Sequence, residues 1–183
     1  SGNGAAVLCA LNSLYSQPFS DNELEKLALK LGADVPYCIT GGTQLAEGIG
    51  EILTPLNPVP DCHVLLVTPP VSVSTPKVYS EFDNLKTHTS ANTLSMLSAI
   101  EKGSLYDICA ELSNSLEDVT IPLHPVIGGI KKKLIGNGAV GALMSGSGAT
   151  VFGIFDDYKK AKASHDSFSL MYKDVYLTGI KNR

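Results

Sequence analysis

Three short stretches of this sequence carry residues whose types and spacing suit phosphate binding or proton transfer. The first, Ser1-Gly2-Asn3-Gly4, leads directly into a helical pattern. A turn rich in glycine and serine at a helix start offers an anion free backbone N–H groups and the positive end of the helix dipole. An ordinary helix cap has the same composition, so both interpretations stay open for this stretch alone.

The second stretch surrounds the carboxylate of Asp34, within LGADVP at residues 31–36. Asp34 lies in an otherwise apolar segment between a predicted helix end and a proline. It either caps backbone amides or points into a cleft, where it can accept a proton or hold Mg²⁺. Taken alone, the segment favours the capping role.

The third stretch is a loop of small residues between the apolar runs 141–144 and 151–155, and it consists of Ser145, Gly146, Ser147 and Gly148. Glycine loses more backbone entropy on folding than any other residue, so such a loop needs a structural or functional reason. A tight hairpin turn and a wall approached closely by a phosphate are both consistent with it. No lysine follows, so the loop is not the P-loop of an ATPase.

Other residues give weaker signals. Tyr79 follows a loop that contains a proline, and it is either a core residue or a platform for stacking. The histidines show no metal-binding spacing, so the sequence predicts no metal site built from side chains alone. They are His63, His88, His124 and His165.

Composition excludes several classes of protein. The 183 residues are 44% hydrophobic and 17% charged, as in a soluble globular protein of one or two domains. The formal net charge of −4 argues against a nucleic-acid partner, and we expect Lys131–Lys133 to be a solvated helix face. No apolar run reaches the ~18 residues of a membrane span. The cysteines show no metal spacing and are predicted to be buried free thiols, which favours a cytoplasmic location; they are Cys9, Cys38, Cys62 and Cys109.

The first part of the chain is predicted to be mainly helical. Apolar spacing predicts a helix with a buried stripe over 5–16, and Ser20 and Glu23 form the capping-box pattern of a second helix. Gly32 is placed as the glycine that ends this helix, and Pro36 is expected to keep Val35 out of a helix. A hairpin is predicted over 43–54, followed by a linker at 57–60.

The rest of the chain interleaves strands and helices, which predicts an α+β fold. Strands are expected at 63–67, 139–144, 149–155 and 173–178. Helices are expected at 75–82, 90–101, 104–112, 124–135 and 156–168.

Taken in order, four segments resemble the motifs of the GHMP kinases, a superfamily of small-molecule kinases. The resemblance extends over the whole chain. The segments are SGNGAAVLCALN at 1–12, LGADVPYCITGGTQLAEGIGE at 31–51, VSVSTPKVYSEF at 71–82 and MSGSGATVF at 144–152.

The resemblance implies an activity. Its GADVP and TPxxY features are most similar to those of the member that acts on diphosphocytidyl-methylerythritol in isoprenoid precursor synthesis. That member transfers the γ-phosphate of ATP to the 2-hydroxyl of this small-molecule substrate, with Mg²⁺. Another acceptor, such as homoserine or mevalonate, is the first alternative, and a ligand-binding module without catalysis is the second.

The resemblance also implies a role for each site residue. Asp34 would be the catalytic carboxylate, which orients or deprotonates the acceptor hydroxyl. The cofactor-binding residues for ATP would be Ser1, Gly2, Asn3 and Gly4. The substrate-binding residues would be Thr75, Pro76, Tyr79, Ser145, Gly146, Ser147 and Gly148.

Fold and domain organisation follow from the same resemblance. Residues 1–58 would be the C-terminal part of an ATP-binding domain like domain 2 of ribosomal protein S5. Residues 59–183 would be a ferredoxin-like C-terminal domain, with the active site in the cleft between the two.

Because the sequence starts with Ser1 in a helical segment, we expect a fragment that is inactive alone. In Asn114-Ser115-Leu116-Glu117, serine replaces a common family aspartate, and we interpret this stretch as structural.

Overall fold

The computed structural model describes residues 1–180, which divide into two compact units. Unit 1 comprises Ser1–Pro58, and unit 2 comprises Val59–Ile180. The last three residues of the predicted second domain, 181–183, lie outside the described residues.

Unit 1 contains three helices followed by a two-stranded antiparallel hairpin. Its elements are α1 (Gly2–Leu14), α2 (Asp21–Leu29), α3 (Val35–Thr40), β1 (Gln44–Glu47) and β2 (Ile52–Pro55). The predicted hairpin is therefore confirmed. The helices meet in a small apolar core, made of Ala5, Leu24, Ala28, Val35 and Ile39.

The capping box of α2 is confirmed. The Glu23 carboxylate accepts hydrogen bonds from the Ser20 backbone N–H at 2.9 Å and from the Ser20 hydroxyl at 2.7 Å. These bonds lower the pKa of Glu23 from its ordinary value. The predicted end at Gly32 is wrong: the helix ends at Leu29, and Gly32 instead donates its N–H to the Ala28 carbonyl at 3.2 Å.

Val35 begins helix α3, contrary to the prediction that Pro36 would exclude it. Pro36 lies in the first turn of this helix, where a proline is tolerated because the first-turn N–H groups have no intrahelical acceptor. Both residues are buried, and Val35 packs in a core shared with α1 and α2, so tertiary packing outweighs the local bias.

The predicted buried stripe of α1 is mostly exposed. Ala5 is the buried residue of this helix, whereas Val7, Leu11 and Leu14 are 57%, 48% and 74% exposed. The helical spacing was therefore correct, but periodicity alone does not show which face of a helix another element covers.

Unit 2 contains six helices and four strands. The sequence does not predict the helix Glu117–Leu123, because it is short and holds Pro122, a residue that argues against a helix interior. The elements are β3 (His63–Thr68), α4 (Thr75–Asp83), α5 (Thr93–Lys102), α6 (Leu105–Ala110), α7 (Glu117–Leu123), α8 (Pro125–Gly136), β4 (Gly141–Met144), β5 (Val151–Phe155), α9 (Tyr158–Ser169) and β6 (Asp174–Gly179).

The four strands of unit 2 form one antiparallel sheet in the order β4-β5-β3-β6. Strand β3 is central: its residue His63 pairs with Phe155 of β5 on one side and with Gly179 of β6 on the other. This order, with helices between β3 and β4 and between β5 and β6, is the ferredoxin-like arrangement. The α+β prediction is confirmed. The largest fully buried core side chains include Phe155, Phe168, Leu65, Ile127, Ile130 and Leu134.

The cysteines differ in burial. Cys62 and Cys109 are buried thiols, and burial together with the nearby Cys62 raises the pKa of Cys109 to about 11. Cys9 and Cys38 are exposed, so the prediction of burial was wrong for these two. Within residues 1–180, no helix combines the length and apolar character needed to cross a bilayer.

Candidate functional site

The first turn of α1 carries the predicted phosphate-binding residues. Gly2, Asn3 and Gly4 belong to the helix itself, and Ser1 is its N-cap without a side-chain capping bond. The first intrahelical bond runs from Ala5 N–H to Ser1 O at 3.1 Å, so the three preceding N–H groups have no helical acceptor. An anion such as a phosphate fits this turn, because its donors are uncapped and its side chains are small.

Asp34 is the N-cap of α3, but its side chain makes no capping hydrogen bond. Its carboxylate is exposed, and it has no hydrogen-bond or ion-pair partner within the described residues. The capping interpretation favoured by the sequence is therefore wrong. An exposed carboxylate without a partner retains all of its acceptor positions for a ligand or a proton.

The turn of the β1–β2 hairpin lies beside Asp34. Gly50 has a φ of +110°, and a Cβ on it would be 3.6 Å from Asp34 Oδ1. The carboxylate of Glu51 accepts a 2.7 Å hydrogen bond from the Ile49 N–H and so holds the turn. The small Gly50 leaves space next to the Asp34 carboxylate.

The loop Ser145–Gly148 joins β4 to β5 and is a hairpin turn. Ser145 N–H donates to Thr150 O at 2.8 Å, and Gly148 N–H donates to Ser145 O at 3.0 Å. Ser145 and Gly146 are exposed, whereas Ser147 and Gly148 are half-buried. The turn interpretation is confirmed, and it leaves part of the loop accessible to a ligand.

Two of the predicted substrate-binding segments meet within unit 2. The hydroxyl groups of Thr75 and Ser147 are hydrogen-bonded at 2.8 Å, which links the N-terminus of α4 to the loop. Tyr79 lies one helical turn after Thr75 and is 53% exposed. Tyr79 is thus not a core residue; the buried residue of α4 is Val78. Pro76 is exposed in the first turn of the same helix.

The loop is supported from behind by residues that were not predicted to bind a ligand. Asn114 donates to the carbonyl groups of Met144 and Gly146, and Thr120 donates to that of Ser147. The carboxylate of Glu117 accepts from the Met144 N–H at 2.8 Å and pairs with Lys131. The stretch that contains Asn114 and Glu117 therefore has the structural contacts expected of it, and Lys131 is not simply a solvated lysine.

The described residues contain no group of three or more His, Cys, Asp or Glu side chains that could hold a metal ion. Mg²⁺ commonly binds through one or two carboxylates together with the phosphates of a substrate. Asp34 fits such a site, since its carboxylate has no partner within residues 1–180.

Comparison with known protein families gives two matches. The family model of the GHMP kinases N terminal domain matches residues 1–42, and that of the GHMP kinases C terminal domain matches residues 96–174.

Relatives and solved structures give a consistent result. A 4-diphosphocytidyl-2-C-methyl-D-erythritol kinase from Alkaliphilus oremlandii is 46% identical over 100% of this chain and 63% of its own length. One from Lachnoclostridium phytofermentans is 51% identical over 97% of this chain and 62% of its own length. This chain thus spans less than two thirds of these relatives.

A crystal structure of 4-(cytidine 5'-diphospho)-2C-methyl-D-erythritol kinase matches with a TM-score of 0.81 and 28% identity, over 98% of this chain and 63% of that one. Homoserine kinase from Cytophaga hutchinsonii matches with a TM-score of 0.75 over 95% of this chain and 62% of that one. Its 18% identity indicates a shared fold alone.

Proposed function

The chain belongs to the GHMP kinase family. On that premise we propose that it is part of an ATP-dependent kinase that phosphorylates 4-diphosphocytidyl-2-C-methyl-D-erythritol. The reaction transfers the γ-phosphate of ATP to the 2-hydroxyl of this acceptor, in the synthesis of isoprenoid precursors. The choice of acceptor is supported mainly by one observation, the 46% identity over the whole chain to a relative named for this activity.

Unit 1 supplies the groups proposed for phosphate binding and for the acceptor hydroxyl. The free N–H groups of Gly2, Asn3 and Gly4, with Ser1, hold phosphate oxygens of ATP at the positive end of α1. Asp34 accepts a hydrogen bond from the acceptor hydroxyl and orients it, or removes its proton. In phosphoryl transfer, such positioning and charge stabilisation provide most of the catalysis.

Unit 2 supplies the groups proposed for the rest of the acceptor. The exposed ring of Tyr79 stacks on the cytosine base, and Thr75 and Pro76 line the pocket from the same helix turn. The loop of Ser145, Gly146, Ser147 and Gly148 faces the substrate phosphates. The hydrogen bond between the hydroxyl groups of Ser147 and Thr75 supports a common role for the two segments.

ATP brings the phosphate to be transferred, and Mg²⁺ neutralises charge on its phosphate oxygens. Asp34 is the carboxylate that we propose as a ligand or close neighbour of Mg²⁺. No other protein ligand is proposed, since the described residues hold no larger cluster of metal-binding side chains.

The function is tested by assaying the full-length protein for ADP release with three acceptors. We expect phosphorylation of 4-diphosphocytidyl-2-C-methyl-D-erythritol and no turnover of homoserine or mevalonate. Turnover of homoserine or mevalonate without the cytidyl substrate would contradict the choice of acceptor. Binding of ATP or acceptor without turnover of any of the three would favour a non-catalytic module.

Replacing Tyr79 with alanine is expected to raise KM for the cytidyl acceptor by roughly 5- to 150-fold, since a base stacked on an aromatic ring contributes about 1–3 kcal/mol. KM for ATP should change little, and Tm should stay close to wild type because Tyr79 is 53% exposed. Steady-state kinetics, with each substrate varied in turn, measure the two KM values separately.

A matched control is Tyr176→Ala, which removes another exposed tyrosine of unit 2, on strand β6. It should leave both KM values unchanged. Equal increases in the two KM values for Tyr79→Ala would argue against a stacking role.

A further inference from the structure

Three side chains near the start of α7 hold the backbone of the Ser145–Gly148 loop. They are Asn114, just before this helix, and Glu117 and Thr120 within it. We propose that these three are positioning residues, which fix the shape of the loop and thereby set the affinity for the acceptor. This inference rests on the proposed function of the loop in acceptor binding.

Asn114 bridges two carbonyl groups of the loop with a single amide. Its Nδ2 donates to Met144 O at 2.9 Å and to Gly146 O at 2.8 Å, so both amide hydrogens are used. Its Oδ1 accepts from Leu116 N–H at 3.0 Å, which orients the amide. An ionised aspartate has the same shape but no donor, so it would place a negative charge against both carbonyl oxygens.

Glu117 holds the residue that precedes the loop. Its Oε1 accepts from the Met144 N–H at 2.8 Å, and its Oε2 pairs with Lys131 Nζ of α8. The Glu117 side chain is 14% exposed, so the pair is largely shielded from water. Met144 is thus held at its N–H by Glu117 and at its carbonyl by Asn114.

Thr120 holds the far side of the loop. It is fully buried, and its hydroxyl donates to Ser147 O at 3.2 Å. A buried hydroxyl without an acceptor is unfavourable, so this bond favours one orientation of the Ser147 carbonyl.

These bonds determine the direction in which the N–H group of Ser147 points. In a planar trans peptide, the N–H points away from the carbonyl of the preceding residue. Since Asn114 binds the Gly146 carbonyl, the N–H of Ser147 points away from Asn114. It has no acceptor within residues 1–180, and it belongs to the residue whose hydroxyl meets Thr75. The three positioning residues thus leave this N–H available for a substrate phosphate.

The test compares two identical substitutions in the full-length protein, Asn114→Asp and Asn92→Asp. Within residues 1–180, the Asn92 side chain forms hydrogen bonds only through its Oδ1, which accepts from Ser95 N–H at the start of α5, and aspartate is an equally good N-cap. Thr120→Val is a second, uncharged variant that keeps the shape of the side chain and removes its donor. Hydrogen exchange of the amides in 145–150 and steady-state kinetics are measured for each.

We expect Asn114→Asp and Thr120→Val to speed exchange in 145–150 and to raise KM for the acceptor. The increase should be about tenfold for Thr120→Val, which loses one hydrogen bond, and at least as large for Asn114→Asp, which loses two. KM for ATP should stay at its wild-type value, and Asn92→Asp should change none of these quantities. A merely structural role would instead lower Tm and kcat and leave both KM values unchanged.

Unchanged exchange in both variants would overturn the inference, as would faster exchange with an unchanged KM for the acceptor. A wild-type protein that phosphorylates none of the acceptors would contradict the proposed function itself. The exchange measurement would still show in that case whether Asn114 and Thr120 control the loop.

Discussion

Replacing Asp34 with asparagine is expected to lower kcat by about 10²- to 10⁴-fold, the usual contribution of a positioned acid–base group. The substitution keeps the shape of the side chain and removes its negative charge. Because the carboxylate makes no capping bond and is exposed, Tm should stay within about 2 °C of wild type. Single-turnover kinetics with saturating ATP and acceptor measure the chemical step directly.

The matched control is Asp21→Asn, another exposed aspartate near a helix N-terminus in unit 1. It should leave kcat unchanged and cost only about 0.3–1 kcal/mol from the weaker interaction with the dipole of α2. A large fall in Tm for Asp34→Asn, with kcat reduced only in proportion to the folded fraction, would restore the capping interpretation. Wild-type kcat in a stable variant would exclude Asp34 from catalysis.

Gly148→Ala is expected to lower the free energy of unfolding by about 2–5 kcal/mol, from backbone strain and overpacking together. Gly148 has a φ of +97°, a conformation that residues with a side chain rarely adopt. A Cβ there would lie 3.0 Å from Met144 Sδ and 3.3 Å from Thr120 Cγ2, both in the packed interior. A fall in Tm of roughly 5–15 °C in thermal unfolding would agree with this value.

Gly146→Ala separates the two causes. Gly146 also has a positive φ, +55°, but no atom of residues 1–180 lies within 4 Å of a Cβ built on it. Strain alone should therefore cost about 1–2 kcal/mol at this position. If the two variants lost the same stability, the contacts of the added methyl group at position 148 with Met144 and Thr120 would not contribute to the loss. We also expect KM for the acceptor to rise more in Gly148→Ala, since the loop must shift to admit the methyl group.

Local signals predicted most of the secondary structure. The capping box at Ser20 and Glu23 marked the start of α2, and the apolar run after His63 marked the central strand β3. Both signals depend on residues a few positions apart, so they can be read along the chain. Helix α7 was missed, because Pro122 disfavours a helix locally and only tertiary packing compensates for it.

Burial was predicted less well, because it depends on which elements lie against each other. The apolar residues along one face of α1 are predicted to be buried, yet Leu14 is 74% exposed. The sequence is consistent with two roles for Tyr79, a core residue or a platform for stacking. Its exposure of 53% excludes the core role. In each case the spacing of the residues was consistent with more than one packing arrangement.

By itself, the sequence determined the α+β class, the order of most elements and the resemblance to the GHMP kinases. Each of these depends on patterns within short segments. The tertiary structure alone decided that the Asp34 side chain makes no capping hydrogen bond and that the hydroxyl groups of Thr75 and Ser147 are hydrogen-bonded. It also decided that Asn114 holds a loop 30 residues away. Such contacts depend on the pairing of distant strands, which brings together residues whose local sequences carry no sign of each other.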